Sequence, residues 1–163
     1  MEIERKYLVK QLPKDLESYE HTEITQAYLN TEPVLRIRKR GEKYTFTYKG
    51  SGMMVREEYN LPLTKEAFEH LLPKADGNII RKTRYLIPLD SYVNHPSSES
   101  DTKVRLVAEL DIFTSPKELI MAEVEFPDEA AALAFKKPDW FGDEVTDNPA
   151  YHNSNMITSS PQR

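Results

Sequence analysis

The 163-residue chain contains no cysteine, which excludes disulfides, thiolate nucleophiles and cysteine-ligated zinc or iron–sulfur centres and fits a reducing compartment. No apolar run approaches the roughly 18 residues that a membrane-crossing helix needs, and the charged first residues lack the basic-then-apolar pattern of a signal sequence. The expectation is a cytoplasmic protein with no membrane partner. Positive net charge is also missing. At −5 the chain has no broad attraction for nucleic acid, although a local basic pocket inside an acidic shell is compatible with that sum. His21, His70, His95 and His152 show no metal-ligand spacing among themselves, so they read as surface or packing residues. No repeat of solenoid length is present. Chemistry is left to carboxylates, cations, hydroxyls and isolated histidines.

What the chain does have is 39% hydrophobic residues, enough for one packed domain over residues 1–163, with 158–163 as a fraying tail. Period-two alternation dominates over helical periodicity and marks eight strands. These are Glu2–Lys10, Glu23–Asn30, Val34–Arg40, Lys43–Lys49, Met53–Leu61, Asn78–Pro88, Lys103–Phe113 and Leu119–Phe126. Glycines at Arg40-Gly41-Glu42 and Lys49-Gly50-Ser51-Gly52 mark hairpin turns, so consecutive strands are expected to run antiparallel. Thr64 and Asp128 read as N-caps of short helices, the first carrying Phe68 and Leu71, the second Leu133 and Phe135. Asp90–Asp101, rich in Ser, Asp, Asn and Pro, reads as a mobile loop, and Tyr151–Met156 as a short C-terminal helix or plug. Trp140, beside Phe141, reads as packing rather than ligand stacking.

Charge is sorted onto single strand faces. Arg36, Arg38 and Arg40 oppose Leu35 and Ile37; Arg56, Glu58 and Asn60 oppose Val55, Tyr59 and Leu61; Lys82 and Arg84 share a face. Lys103, Arg105, Glu109 and Asp111 oppose Val104, Leu106, Ala108 and Leu110, and Glu123 and Glu125 oppose Ala122 and Val124. For any one strand the plain reading is a half-buried sheet with a wet polar face. Taken together, the recurrence of Arg-x-Arg, Lys-x-Arg, Glu-x-Glu and Glu-x-Asp is better explained by strands that curl so that these faces share an interior. There the cations would line a pocket for a polyanion and the carboxylates would converge on a metal ion, with apolar faces outward under the helices. Arginine forks grip phosphate oxygens, and Mg²⁺ or Mn²⁺ takes oxygen ligands. In Glu2-x-Glu4 and Glu123-x-Glu125 each pair lies on one side of its strand, about 6.6 Å apart.

Glu2-Ile3-Glu4-Arg5-Lys6 resembles the N-terminal Glu-x-Glu-x-Lys of the CYTH superfamily, the triphosphate tunnel metalloenzymes. The resemblance continues, in order, through Gln26-Ala27-Tyr28-Leu29, Leu35-Arg36-Ile37-Arg38, Thr47-Tyr48-Lys49-Gly50, Arg56-Glu57-Glu58-Tyr59, Lys82-Thr83-Arg84-Tyr85, Glu109-Leu110-Asp111-Ile112-Phe113, Ala122-Glu123-Val124-Glu125 and Trp140 to Thr146. It implies a mainly β fold of the α+β type: a closed eight-stranded antiparallel barrel forming a tunnel with a charged interior and helices outside. It also implies a metal-dependent triphosphatase of the small bacterial, inorganic-triphosphatase-like type, using Mg²⁺ or Mn²⁺ and acting on a small triphosphate. By motif, Glu2, Glu4, Asp111, Glu123 and Glu125 are the metal-site residues. Lys6, Arg36, Arg38, Lys49, Arg56, Lys82 and Arg84 form the phosphate clamp, with Glu58 also in the substrate site. Glu4, Glu125, Lys82 and Tyr28 are the catalytic set, and sequence does not separate metal ligand from general base among the glutamates. Two departures stand out: Asn60, where similar chains carry a glutamate, and the long Asp90–Asp101 segment. The alternatives are nucleoside or thiamine triphosphate hydrolysis or adenylyl cyclase activity and, from another class, a polyphosphate-binding module without turnover; the oligomeric expectation is a monomer or homodimer.

Overall fold

The computed structural model describes residues 1–95 and 102–158. Ten strands form: β1 (Glu2–Val9), β2 (Glu20–Thr31), β3 (Val34–Arg40), β4 (Lys43–Lys49), β5 (Val55–Arg56), β6 (Glu58–Pro62), β7 (Asp76–Asn94), β8 (Lys103–Ser115), β9 (Leu119–Glu125) and β10 (Phe141–Glu144). Three short α-helices, α1 (Lys65–Leu71), α2 (Glu129–Ala134) and α3 (Asn153–Met156), and the 3-10 turns Leu16–Ser18, Leu72–Lys74 and Pro149–Tyr151 complete the set. Among the described residues, no helix is long and apolar enough to cross a membrane.

Every pairing is antiparallel, in the order β10-β1-β9-β8-β7-β2-β3-β4-β6, and β5 returns to β1. β5 and β6 are one run of chain interrupted at Glu57, so β6 on β4 and β5 on β1 bring the ends of the sheet together. Counted that way, eight strands make the expected barrel wall, and β10 is a ninth on the same edge of β1 as β5. The closure is short: only Glu2 and Ile3 pair with β5, and only Tyr7 and Val9 pair with β10. Between them the Lys6 amide donates to the Thr146 hydroxyl at 3.0 Å, and Val145 N–H donates to the Lys6 carbonyl at 2.8 Å. A side-chain oxygen thus fills the gap in the ladder where one strand partner ends and the next begins.

The turn and cap chemistry follows the sequence. Gly41 closes the β3–β4 hairpin at φ 57°, in the left-handed region that favours glycine. Thr64 and Asp128 cap α1 and α2 by accepting from Ala67 and Ala131 amides at 3.0 and 2.7 Å. Two expectations need correction. Met53–Leu61 is not one strand, because a kink at Glu57 lets its carbonyl accept from Gly50 N–H at 3.0 Å. The supposed loop from Asp90 is strand as far as Asn94: a register irregularity between Pro88 and Tyr92 absorbs the turn-like residues, and Tyr92, Val93 and Asn94 then pair with Arg105, Val104 and Lys103. Residues 96–101, the rest of that segment, and 159–163, most of the expected tail, lie outside the described residues.

Alternation separates an outer apolar shell from a charged interior. Outside, Tyr7, Leu110, Ala122, Val124 and Phe141 pack with Ala132 of α2, and Ala27 and Ile37 pack under Phe68 of α1. Trp140 meets Phe141 edge-on with ring centroids 4.6 Å apart, the packing role expected of it. Along the inside the character changes from one end to the other. Leu8, Tyr28, Val34, Ile80, Phe113 and Met121, the inward residues at one end, form an apolar cluster that Val145, Met156 and Ile157 complete. Two or more residues further along the same strands stand the charged side chains. The C-terminal segment therefore fills one end of the barrel, as the sequence suggested for Tyr151–Met156.

Candidate functional site

The middle of the barrel encloses a cavity of about 60 Å³, narrow because long charged side chains project into it. Its wall includes Glu2, Glu4, Lys6, Tyr28, Arg36, Arg38, Lys49, Arg56, Glu58, Lys82, Arg84, Glu109 and Glu123, so nearly all of the residues expected from the sequence meet in one place. Glu125 does not line it. That carboxylate lies one step towards the other end, in a second cavity of about 570 Å³ with Arg40, Arg105 and Glu109. Glu109 borders both.

Burying this many charges is tolerable only if they are paired or await a ligand. On the β7–β8 wall pairing is complete. Arg84 makes a two-pronged bond to Asp111 at 2.7 and 2.8 Å, and Lys82 reaches the same carboxylate at 2.7 Å. Arg84 also contacts Glu109, and Glu123 at 3.6 Å. Burial works against the charges on Arg84 and Asp111, yet Asp111 with Glu109 holds the guanidinium above, and Arg84 with Lys82 holds the carboxyl below, their ordinary ranges. Lys82 fares differently. Burial, helped by Arg84 and Arg38, pushes it down to about 7 despite Asp111.

Asp111, expected among the metal-site residues, is wholly buried, and both its oxygens face Arg84 and Lys82. The remaining acids lie towards β1 and β9. Lys6 sits between Glu4 at 3.3 Å and Glu123 at 3.6 Å, and Lys49 holds Glu2 at 2.8 Å. Burial opposes the charge on Glu123, but Lys6 and Arg84 overcome it and keep the carboxylate well below its usual range. Glu4 is raised by burial and by Glu123. Glu2 is raised by burial and by its contact with Glu58, whose own value is lowered by that same contact and by Lys49 against the effect of burial. Burial and neighbouring acids raise Glu109 and Glu125 as well.

The β3 side has the opposite imbalance. Among the described residues no carboxylate pairs with Arg36, Arg38 or Arg56. Arg38 is held only by the neutral Gln26 oxygen, at 2.9 and 2.7 Å, and burial beside Arg36 and Arg84 pushes it down to about 9. A guanidinium keeps its proton at neutral pH, so that downward push measures positive charge awaiting an anion. Arg36 donates to Thr47, which donates in turn to Asn60 at 2.5 Å, while the Arg36 Nε is buried with no hydrogen-bond partner. Asn60 thus orders an arginine without neutralising it. Across the cavity, one wall is short of positive charge and the other short of negative charge.

An all-oxygen set of Glu2, Glu4, Glu109, Glu123 and Glu125 suits a hard divalent cation, whose charge would offset the burial and acid neighbours that raise Glu2, Glu4, Glu109 and Glu125. Among the described residues no three acids or histidines already converge as a metal site; Lys6 stands between Glu4 and Glu123, and Lys49 against Glu2.

Alternation did not single out the inward Gln26, although its place two residues before Tyr28 contained the signal. His152, Asn153 and Ser154 also reach the cavity, and nothing periodic marks them. His152 is buried 3.3 Å from the Thr146 carbonyl, in keeping with a packing histidine.

A sequence model described as CYTH domain matches residues 1–115. An inorganic triphosphatase of Nitrosomonas europaea is 37% identical, covering 98% of this chain and 99% of its own, and one of Acetivibrio thermocellus is 32% identical, covering 96% and 92%. The crystal structure of an inorganic triphosphatase superposes with a TM-score of 0.66 at 34% identity, covering 99% of this chain and 97% of that one. A conserved hypothetical protein of Pyrococcus furiosus, at 16% identity and a TM-score of 0.58 over 96% of this chain and all of its own, shares the fold.

Proposed function

Because this chain belongs to the CYTH domain family, we propose that it is a divalent-metal-dependent triphosphatase that hydrolyses inorganic triphosphate to pyrophosphate and phosphate, and that it works in the cytoplasm. The observation that carries the reading is Arg36 and Arg38, held in a barrel interior without a carboxylate partner, facing a wall of carboxylates that burial has raised. A triphosphate oxygen at the Arg36 Nε and the Arg38 fork would satisfy donors that the protein leaves open, and charge-assisted bonds of that kind are the strong ones.

In this reading Arg36, Arg38, Arg56 and Lys82 bind the phosphates directly, and Lys6, Lys49 and Arg84 supply the surrounding positive potential. Glu58 keeps Lys49 and Glu2 in place. Asp111 orients Arg84 and Lys82. A divalent cation, Mg²⁺ or Mn²⁺, held by Glu2, Glu4, Glu109, Glu123 and Glu125, would neutralise phosphate charge and lower the pKa of water. Water adds to the terminal phosphorus, the bond to the bridging oxygen breaks, and that oxygen leaves with pyrophosphate. Glu4 or Glu125, each raised by burial and neighbouring acids, can take the water's proton. Lys82, pushed down to about 7, can give one to the leaving oxygen, and the Tyr28 hydroxyl, which accepts from Gln26 at 3.0 Å, still has its proton to donate to a phosphate oxygen.

A second reading, an organic triphosphate, is favoured by one observation: the 570 Å³ cavity beyond Glu109 is partly apolar, with Leu86, Val104, Val107 and Phe126 in its wall. One panel tests both. Tripolyphosphate, pyrophosphate, ATP and thiamine triphosphate are incubated with Mg²⁺ or Mn²⁺, and phosphate, pyrophosphate and cyclic nucleotide are followed. Tripolyphosphate should be turned over best; no turnover of any substrate would end the hydrolase reading and leave a binding module.

A further inference from the structure

The segment that fills the apolar end of the barrel is fixed at both of its own ends. It starts at Val145 and Thr146, bonded to the Lys6 backbone. It finishes at Ile157, whose carbonyl accepts from Asn78 N–H at 2.8 Å. Gly77, at φ 65°, makes that approach feasible, since a Cβ there would lie 2.6 Å from the Ile157 oxygen. Between these anchors Asn153 points into the charged cavity. Its Oδ1 accepts from Lys82 Nζ at 3.0 Å and from Gln26 Nε2 at 3.2 Å, and Gln26 in turn holds Arg38. A neutral oxygen thus stands on Lys82 and, through Gln26, beside Arg38, with the apolar cluster behind it; Val34, Arg56, His152 and Ser154 border both this cavity and another of about 280 Å³. The opposite end leads past Glu109 to the larger cavity at the mouth.

Resting on the polyphosphate reading above, we propose that Asn153 is an end stop. A linear polyphosphate enters by the Glu109 end and its terminal phosphate seats against the Asn153 amide, so this strap fixes which phosphoanhydride bond lies at the reacting position. An amide suits the task. Its NH₂ donates to a phosphate oxygen while its carbonyl stays on Lys82, and it lacks the repulsion that a carboxylate would impose. A chain sliding deeper would have to put phosphate against Phe113 and Met121, which gives it no hydrogen-bond partner.

Tripolyphosphate cannot report the register, because cutting either bond gives the same products. Tetrapolyphosphate can: an end cut gives triphosphate and phosphate, a central cut gives two pyrophosphates. With Mg²⁺ and ³¹P NMR detection, the full-length parent is expected to give one of these partitions or no turnover. Asn153→Ala should change that outcome, mixing the partitions or gaining turnover. In a parent that turns over tripolyphosphate, the same tetrapolyphosphate result in parent and variant overturns the stop. Asn153→Asp guards against a folding artefact, since it is isosteric and offers Lys82 a charge. It should keep the parent melting temperature yet raise the Kd for tripolyphosphate, measured by calorimetry in EDTA, at least tenfold; an unchanged Kd also overturns the stop. The calorimetry needs no turnover, so a weakened Kd in a chain that hydrolyses nothing keeps the stop and discards only the hydrolase reading.

Discussion

Replacing Asp111 by asparagine tests the charge balance of the whole site. The change is isosteric and removes one negative charge from a fully buried position, where Arg84 Nε and Nη2 lie at 2.7 and 2.8 Å and Lys82 at 2.7 Å. Breaking a buried pair by removing one partner costs about 3–5 kcal/mol. At about 2–4 °C per kcal/mol for a domain of this size, the melting temperature should fall by roughly 6–20 °C at pH 6. The deficit should also depend on pH. Lys82 is already lowered to about 7, and losing Asp111 lowers it further, while the unfolded lysine titrates near about 10.4. Between those values the unfolded chain binds more protons, so stability rises with pH across that window. Below it both states are protonated and the variant bears the full cost of the unpaired cation. Its deficit should therefore shrink between pH 6 and pH 9. Tripolyphosphate in EDTA should restore part of the loss, since a bound anion takes over the missing charge. Calorimetric melts of parent and variant at both pH values, with and without the anion, measure each quantity. A variant within about 2 °C of the parent at pH 6 would show that Asp111 does not carry the charge balance assigned to it.

Four other outcomes follow from the same geometry. Arg38→Ala removes a cation held only by Gln26 and should raise the tripolyphosphate KM about 10- to 100-fold, the equivalent of about 1.5–3 kcal/mol, with little change in melting temperature; an unchanged KM would contradict its place in the clamp. Glu4→Gln relieves a buried, raised carboxyl, so the chain should melt no lower while metal-dependent turnover drops by about 100-fold, and full activity would exclude Glu4 as ligand or base. Asn60→Glu gives Arg36 a counter-ion through Thr47, so stability should rise and triphosphate affinity fall in direct titration. Binding of tripolyphosphate at pH 8 should take up protons as Lys82 recovers its charge, and calorimetry in two buffers of different ionisation enthalpy should report unequal heats.

Most of the barrel was legible because period two is a direct consequence of backbone geometry. Val34–Arg40 and Lys43–Lys49 end where their alternation ends. The inward faces were legible for the same reason, and so was most of the site. Partners were not. Alternation says that Asp111 faces inward but not that Arg84 and Lys82 will take both its oxygens. Nor does it show the kink at Glu57, a local backbone choice with no composition of its own, or the strand through Asp90–Asn94, where turn-forming residues sit in a register irregularity. Asn153 was out of reach because its partner Lys82 is 71 positions away and its own neighbours carry no pattern.

The placement of β1 bears on how the molecule is made. Its long partner is β9, with Glu4 opposite Glu125 and Leu8 opposite Met121, and its other edge waits for residues 54–56 and 141–146. The strand that comes first in this sequence is thus among the last to be placed. Contacts so distant in sequence favour slow folding, in the millisecond-to-second range. Until β9 emerges, Glu4 and Lys6 remain hydrated on a strand whose long edge is unpaired, and their charges keep that edge from pairing with a neighbouring chain. The residues that bring the site its electrostatics also protect the nascent chain while the barrel is still open.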